Sequence, residues 1–136
     1  MSLHPDLEAF LDLAQDGQDA GQPALHQLTP AEARAIFEQT TAQLRWNAPQ
    51  DIDVLEVNTT ARDGAPLALR LYRPSAATAL MPVMVYFHGG GFVVGSLDSH
   101  DGVCREFCRR TPCAVLSVGY RLAPEHRFPT ALEDGE

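Results

Sequence analysis

Three consecutive glycines at residues 89–91 follow the apolar run of residues 83–87 after a single histidine, and this junction constrains the fold more than any other feature. The run does not alternate polar and apolar residues, which is typical of a strand buried on both faces of a sheet. Glycine lets the backbone turn sharply and lets other groups approach it closely. Since consecutive amides that point into one hollow bind anions, the sequence predicts an anion-binding turn after a buried strand.

Two kinds of anion site compete at this turn, a phosphate loop and an oxyanion hole. A phosphate loop requires GxxxxGK[ST], or GxGxxG opening directly into a helix. Neither pattern is present, because Phe92, Val93 and Val94 follow the glycines and all ten basic residues are arginines. An oxyanion hole of the HGGG type follows a strand in α/β-hydrolases, and His88 supplies the first residue of that motif. The residues therefore favour the oxyanion hole.

The first 46 residues predict two amphipathic helices. One begins near Pro5, and the other begins at Thr29-Pro30-Ala31-Glu32, which has the pattern of a capping box. The apolar positions are Leu7, Phe10, Leu11 and Ala14 in the first helix and Ala33, Ile36, Phe37 and Leu44 in the second. Ordinary amphipathic packing accounts for both helices, and the isolated Trp46 is interpreted as a packing residue.

An antiparallel hairpin is expected next in the chain. Asp63-Gly64 is a hairpin turn signal between strands at residues 51–60 and 67–72. The apolar positions of the first strand change phase after Val54, which predicts a β-bulge. The second strand alternates leucines with other residues and is expected to be half-exposed.

A strand–helix–strand unit is expected from residue 83 onward. The helix runs from Ser96 or Ser99 to Arg110, and a second buried strand follows at residues 114–118. A further helix is expected to begin at Pro129. The unit implies a parallel pair with a right-handed crossover, and the predicted fold class is therefore α/β.

Two motifs together resemble a known family. HGGGF at residues 88–92 and YRLAPEH at residues 120–126 resemble the hormone-sensitive-lipase-like group of α/β-hydrolase carboxylesterases, in the family's order and separation. The resemblance implies cap helices at residues 1–46, although from sequence alone these could equally be plain packing helices. It assigns residues 47–136 to the first half of the hydrolase core. It also implies a serine esterase that acts on a small ester through an acyl-enzyme, with no cofactor.

The resemblance gives each residue of the glycine turn a role. The backbone N–H groups of Gly90 and Gly91 would donate to the oxyanion of the tetrahedral intermediate. Gly89 would provide the bend. His88 would brace the loop and would not act as the catalytic base, because the family's base comes from near the C-terminus.

The second motif is expected to support the site from behind. Tyr120 would begin a bracing loop, and Arg121 and Glu125 would form an internal ion pair, while Phe92 of the first motif would line the substrate pocket. The family often has an acidic or polar residue before the tyrosine, but here that position is Gly119. No side-chain contact from this position is therefore expected.

The nucleophile elbow GxSxG occurs nowhere in the chain. Asp98, Ser99, His100 and Asp101 have the residue types of a triad, but adjacent positions cannot converge on one serine, and they are interpreted as helix N-terminal residues. We expect the chain to end before the elbow, to be inactive alone and to pair with a C-terminal half. Residues 83–87 would then present an unpaired apolar edge, which predicts poor solubility or self-association.

Composition excludes several other functions. A net charge of −8 argues against nucleic acid and anionic membranes, and no run of about 18 apolar residues or secretory signal is seen. Three cysteines do not suit a disulfide framework, so a cytoplasmic location is expected. Cys104 and Cys108, one helical turn apart, are a conceivable metal site, but buried packing is favoured and no metal is predicted.

Three functions stay open at this point. The first is a serine carboxylesterase of which this chain holds the oxyanion half. The second is a non-catalytic small-molecule binder on the same fold, as the plant gibberellin receptors of this family are. The third is a truncated product without a function of its own. An intact elbow and a C-terminal histidine in the parent protein would favour the enzyme.

Overall fold

A computed structural model describes residues 3–19, 23–45, 47–77 and 80–136 of the chain. The described helices are α1 (Pro5–Asp19), α2 (Pro30–Gln43), α3 (Asp101–Arg110) and α4 (Thr130–Glu133), with a 3₁₀ turn at Leu25–Gln27. The described strands are β1 (Ile52–Thr60), β2 (Pro66–Pro74), β3 (Val83–Phe87) and β4 (Ala114–Gly119). This order of elements agrees with the prediction from the sequence.

These strands form one mixed sheet in the order β1-β2-β4-β3. The β1–β2 and β2–β4 pairs are antiparallel, whereas β3 and β4 are parallel. The predicted strand–helix–strand unit is thereby confirmed, and α3 is its crossover. In the described part of the chain β3 is an edge strand, as expected. Because β3 and β4 are parallel, the turn after β3 and the loop after β4 lie at the same edge of the sheet.

The β1–β2 hairpin forms around the predicted turn, but the predicted bulge is wrong. Pairing runs without a shift from Ile52 opposite Pro74 to Thr60 opposite Pro66. Most of β1 is exposed on both faces, so a change of apolar phase there does not force an extra residue into the strand. Asp63 Oδ1 accepts the Ala65 N–H at 3.1 Å inside the connecting loop.

One face of the sheet packs against α3. Tyr72 of β2 and Val115 of β4 are fully buried there, with Cys104 and Cys108 of α3. Both cysteines therefore occupy packing positions, as the sequence favoured. Cys113 lies outside this cluster and is partly exposed.

The other face of the sheet is covered only in part. Leu67, Val118 and Tyr120 form a second buried cluster near the start of α4. Along β3, however, Val83 and Phe87 are 54% and 46% exposed. The prediction that β3 is buried on both faces is therefore wrong for the described residues. Met84 and Tyr86 pack against the cluster that includes α3, whereas the alternate side chains of β3 remain about half exposed.

The N-terminal helices differ in how they pack. Leu7, Phe10 and Leu11 of α1 are exposed, so the ordinary packing expected for this helix is not seen among the described residues. The Ala14 side chain and Trp46 lie outside the described residues. The capping box of α2 is confirmed, because the Thr29 N–H donates to Glu32 Oε2 at 2.9 Å.

The two later helices begin close to their predicted positions. The α3 helix starts at Asp101, later than predicted, because Ser96 and Ser99 close a turn of their own through hydrogen bonds of 2.8 and 3.0 Å. The α4 helix follows Pro129, as expected. None of the described helices is long and apolar enough to cross a membrane.

Candidate functional site

The glycine turn opens onto a cavity of about 540 Å³ at the carboxyl edge of β3 and β4. Carboxyl ends of parallel strands are the usual position of binding sites in α/β folds. The lining residues are Phe87, His88, Gly89, Gly90, Gly91, Phe92, Tyr120, Ala131, Leu132, Gly135 and Glu136. Most of this lining is apolar or glycine backbone, which suits a small, largely apolar ligand.

Gly90 occupies a position that requires glycine. Its φ is 132°, and an added Cβ atom would lie 1.9 Å from the Val94 carbonyl oxygen. The Gly90 carbonyl accepts the N–H groups of Val93 and Val94 at 3.1 and 3.0 Å, which curls the chain into a tight turn. Gly91 has a φ of 59° with open space around its missing Cβ.

The backbone N–H groups of Gly90 and Gly91 are unpaired in the described part of the chain. Among the described residues, neither group donates a hydrogen bond to a protein acceptor. Both residues line the cavity. Unpaired amides at the mouth of an apolar cavity can stabilise negative charge without reorganising when it develops.

Phe92 adopts a left-handed conformation that is rare outside glycine. Its φ is 63°, and its carbonyl accepts the Ala123 N–H at 2.8 Å. Its side chain is 57% exposed and meets the Tyr120 ring edge-on at 6.1 Å. The same side chain lines the cavity, where the sequence expected it. The bond to Ala123 ties the glycine turn to the second motif.

His88 is buried behind the turn. Its side chain stacks on Tyr120 at a centroid distance of 4.3 Å, and its Nδ1 lies 2.9 Å from the Gly89 carbonyl oxygen. Gly95, which was not among the predicted site residues, makes this arrangement possible, because an added Cβ there would lie 2.5 Å from His88 Nδ1. Gly95 has a positive φ of 95° but lies outside the HGGGF motif, so the motif did not point to it.

The residues with triad chemistry after the turn do not converge. Ser99 Oγ lies 3.1 Å from His100 Nδ1, but Asp98 pairs with Arg70 at 2.8 Å. Asp101 accepts the Tyr72 hydroxyl at 3.1 Å instead. The sequence interpretation that these neighbours form no triad agrees with this geometry.

His100 was not predicted to belong to the site, but its ring contacts His88. The ring lies 5.3 Å from His88 and stacks on Phe37 of α2 at 6.2 Å. Burial lowers the pKa of His100, and the neighbouring His88 lowers that pKa further. His100 therefore joins α2 to the back of the site as a neutral aromatic ring.

The predicted ion pair between Arg121 and Glu125 is wrong. Arg121 Nη2 donates to Asp134 at 2.6 Å, and its Nη1 donates to Asp63 at 2.8 Å. Glu125 lies on the other side of the loop, where Arg34 Nη2 contacts it at 2.6 Å. The two motif residues thus anchor the loop to different parts of the fold, the end of α4 at Asp134 and the helix α2.

Hydrogen bonds within these ion pairs shift the pKa values of the paired groups toward their charged forms. The hydrogen bond from Arg34 lowers the pKa of Glu125 to about 2. Burial alone would raise the pKa of Asp134, but hydrogen bonds from the Arg121 side chain and backbone outweigh burial and hold it below its usual range. Hydrogen bonds to Asp134 and Asp63 also raise the pKa of Arg121. These two arginines and three carboxyl groups are therefore all charged at neutral pH.

Arg34 was also missed. Its Nε donates to the Val93 carbonyl oxygen and its Nη2 to the Ala123 carbonyl oxygen, each at 2.8 Å. The available signal was its position three residues before Phe37, since residues at that spacing share one face of a helix. Its partners lie 59 or more residues away along the chain, so spacing could not identify them.

Known proteins match this arrangement. A sequence model of the α/β hydrolase fold matches residues 84–136. An ethyl acetate hydrolase of Pseudomonas putida is 44% identical over 137 residues, which cover 98% of this chain and 43% of that protein. The solved structure of an ester-hydrolase from the metagenome of Lake Arreo aligns with a TM-score of 0.90 and 34% identity, over 98% of this chain and 42% of its own. The chain belongs to the α/β-hydrolase family.

Other α/β-hydrolases give the same result. Esterase LipI of Mycobacterium tuberculosis is 50% identical over 84 residues, which are 59% of this chain and 26% of LipI. A thermostable esterase of Pseudomonas putida has a TM-score of 0.86 at 30% identity, over 98% of this chain and 42% of its own. The family predicted from the two motifs is thereby confirmed, and these relatives are named as esterases.

The match with these α/β-hydrolases is partial in length. The chain spans 43% of the ethyl acetate hydrolase and 42% of the Lake Arreo structure. The part matched by the family model runs from β3 through α4 and contains the glycine turn and the Tyr120 loop. The cavity is therefore built from the segment with the clearest family signal.

Proposed function

We propose that this chain provides the oxyanion hole of a carboxylic ester hydrolase. The observation that carries the proposal is the pair of unpaired backbone N–H groups of Gly90 and Gly91 at the cavity. A serine nucleophile that attacks an ester carbonyl forms a tetrahedral oxyanion and then an acyl-enzyme, which water hydrolyses. Each donor to the oxyanion contributes roughly a factor of 10²–10³ to the rate.

The nucleophile and its base come from residues other than these 136. The sequence has no GxSxG, and among the described serines Ser96 and Ser99 bond to each other. His88 is 4% exposed and serves as a brace. We therefore expect no ester hydrolysis by the chain alone. A cytoplasmic location remains our prediction from the cysteine count.

The substrate we propose is a small ester with an apolar acyl or alcohol group. The cavity of about 540 Å³ is lined by Phe87, Phe92 and Leu132 around the glycine turn. No cofactor enters this chemistry. Residues 1–46 act as the cap, a role supported by the contacts of Arg34 and Phe37 of α2 with the site loops.

A chimera tests the proposal. This chain replaces the matched segment of the P. putida ethyl acetate hydrolase, to which it is 44% identical, and hydrolysis of a short p-nitrophenyl ester is measured. We expect the chimera to hydrolyse the ester. Gly90→Pro should reduce kcat/KM by at least about a hundredfold, since proline fixes φ near −65° and removes the donor.

The control for this test is the fold of the variant. Thermal unfolding of the Gly90→Pro chimera shows whether the protein is still assembled. A folded variant with unchanged activity would contradict the proposal, because the Gly90 amide would then play no part in hydrolysis.

A non-catalytic binding protein is the second candidate. The observation in its favour is the cavity of about 540 Å³ around the glycine turn, whose largely apolar lining can hold a small ligand without any chemical step. This candidate predicts that the chain binds a short ester without hydrolysing it. It also predicts a chimera that stays inactive although it folds and binds the ester.

A further inference from the structure

The Arg34 guanidinium connects α2 to both loops of the site. Nε donates to the Val93 carbonyl oxygen at 2.8 Å, and Nη2 donates to the Ala123 carbonyl oxygen at 2.8 Å. Nη1 and Nη2 also contact the two oxygens of Glu125 at 3.0 and 2.6 Å. All three nitrogens of one side chain are thus used, and each contact crosses from α2 to another segment.

These contacts lie beside the bond that joins the two loops. The Ala123 N–H donates to the Phe92 carbonyl oxygen at 2.8 Å, and Arg34 binds the carbonyl groups of Val93 and Ala123, next to that bond. Val93 also donates its N–H to the Gly90 carbonyl oxygen. A shift of Val93 would therefore be transmitted directly to the glycine turn.

The turn needs such external support. Phe92 holds a left-handed φ of 63°, a conformation that costs free energy in a residue with a Cβ atom. It persists when surrounding contacts determine it. Arginine suits this position better than lysine, because its planar fork binds one carboxylate through two nitrogens and still reaches two carbonyl groups.

We infer that Arg34 is a positioning residue of the oxyanion hole, which couples the docking of α2 to the orientation of the Gly90 and Gly91 amides. The inference deepens the proposed function and rests on it. Arg34 lines neither the cavity nor the glycine turn. It acts through Val93 and Ala123, and its side chain is 30% exposed at the junction of three segments.

Amide hydrogen exchange on the 136-residue chain tests the coupling without any activity. In Arg34→Ala we expect exchange of the Val93, Val94 and Ala123 amides to accelerate about ten- to a hundredfold, while the Val118 amide of β4 is unchanged. Arg73→Ala is the matched control, since Arg73 is a half-exposed arginine that pairs with Asp53 elsewhere. Arg73→Ala should leave the exchange of these loop amides as in the parent chain.

Two conservative variants sharpen this test. Arg34→Lys keeps the charge beside Glu125 but cannot bind both carbonyl groups, so it should accelerate loop exchange nearly as much as Arg34→Ala. Glu125→Gln leaves both carbonyl contacts in place and should give a smaller change. Unchanged loop exchange in Arg34→Ala would overturn the inference. Equal acceleration of loop and β4 amides would overturn it too, because Arg34 would then support the fold in general.

The chimera separates this inference from the proposed function. Arg34→Ala in the chimera should lower kcat about tenfold and leave KM within about twofold, since only transition-state contacts are disturbed. A raised KM with unchanged kcat would instead assign Arg34 to the shape of the substrate pocket and overturn the inference. An inactive parent chimera would count against the proposed function alone, and the exchange data would still decide the coupling.

Discussion

The hydroxyl of Tyr120 donates to the backbone carbonyl oxygen of His88 at 2.6 Å, and both side chains are buried. This bond joins the first residue of one sequence motif to the first residue of the other. Because the His88 carbonyl lies where β3 passes into the glycine turn, the bond fixes the direction in which the turn leaves the sheet.

Removing this hydroxyl should destabilise the chain. Tyr120→Phe leaves the buried His88 carbonyl oxygen without its donor, so we expect the free energy of unfolding to fall by about 1–2 kcal/mol. Urea unfolding of the chain measures the change. Tyr86→Phe is the matched control, since no hydrogen bond of the Tyr86 hydroxyl is found among the described residues. Equal effects of the two substitutions would contradict the prediction.

The three consecutive glycines should tolerate alanine to different degrees. In the chimera, Gly90→Ala should lower kcat/KM about a hundredfold, because the new Cβ would meet the Val94 carbonyl oxygen at 1.9 Å. Gly91→Ala meets no atom but must hold a φ of 59°, so we expect about a tenfold loss. Gly89→Ala has neither problem and should lose least. A different order would show that the turn has another shape.

Local signals in the sequence predicted much of this structure. The capping box at Thr29, the turn at Asp63-Gly64 and the glycines after β3 depend on backbone chemistry within a few residues. The parallel pairing of β3 and β4 followed from the strand–helix–strand order of the sequence pattern. The positions of Cys104 and Cys108 followed from their helical spacing.

Long-range partners could not be predicted in this way. The family resemblance implied an ion pair between Arg121 and Glu125, but Arg121 pairs with Asp134 directly after α4, and Glu125 pairs with Arg34 of α2. Asp134 is 13 residues beyond Arg121, and Arg34 is 91 residues before Glu125. Such pairs are decided by where the fold places the segments, and sequence spacing carries little information about them.

Cysteine reactivity should follow burial. Cys104 and Cys108 are fully buried, and burial raises the pKa of Cys104 to about 11, whereas Cys113 is partly exposed. At about pH 8, a thiol reagent such as DTNB should therefore react quickly with one cysteine per folded chain. Cys113→Ser should remove the fast phase, and urea should make all the remaining thiols react. Fast reaction of Cys104 in the folded chain would contradict the packing of α3.

The edge of β3 should make the chain self-associate. In the described residues β3 has one paired neighbour, β4, and Val85 is 52% exposed on its uncovered face. A free edge with an apolar face favours pairing with a second copy through backbone hydrogen bonds. Sedimentation of the 136-residue chain should detect dimers or larger species, and Val85→Lys should shift them toward monomer. A parent chain that sediments as a monodisperse monomer would contradict this expectation.

Acid should weaken the anchor between Asp134 and Arg121. The Asp134 side chain is fully buried and accepts the Arg121 backbone N–H at 2.8 Å as well as the guanidinium, and its pKa lies below the usual value of 3.8. A carboxyl group with a lowered pKa binds fewer protons in the folded state than in the unfolded state. Its contribution to stability is therefore complete above the usual pKa and is lost as the pH falls through the folded-state value.

Replacing Asp134 should remove both its contribution to stability and the pH dependence of that contribution. Asp134→Ala leaves the partly buried Arg121 with Asp63 alone, and we expect the free energy of unfolding to fall by about 3 kcal/mol at neutral pH. Urea unfolding from about pH 7 to about pH 3 should show a shallower loss of stability in this variant than in the parent chain. Asp12→Ala, at an exposed carboxyl on α1, is the control and should retain the parent slope. If stability falls with pH equally in Asp134→Ala and in the parent chain, the contact with Arg121 does not lower the pKa of Asp134. The anchor between the Tyr120 loop and the end of α4 would then not be electrostatic.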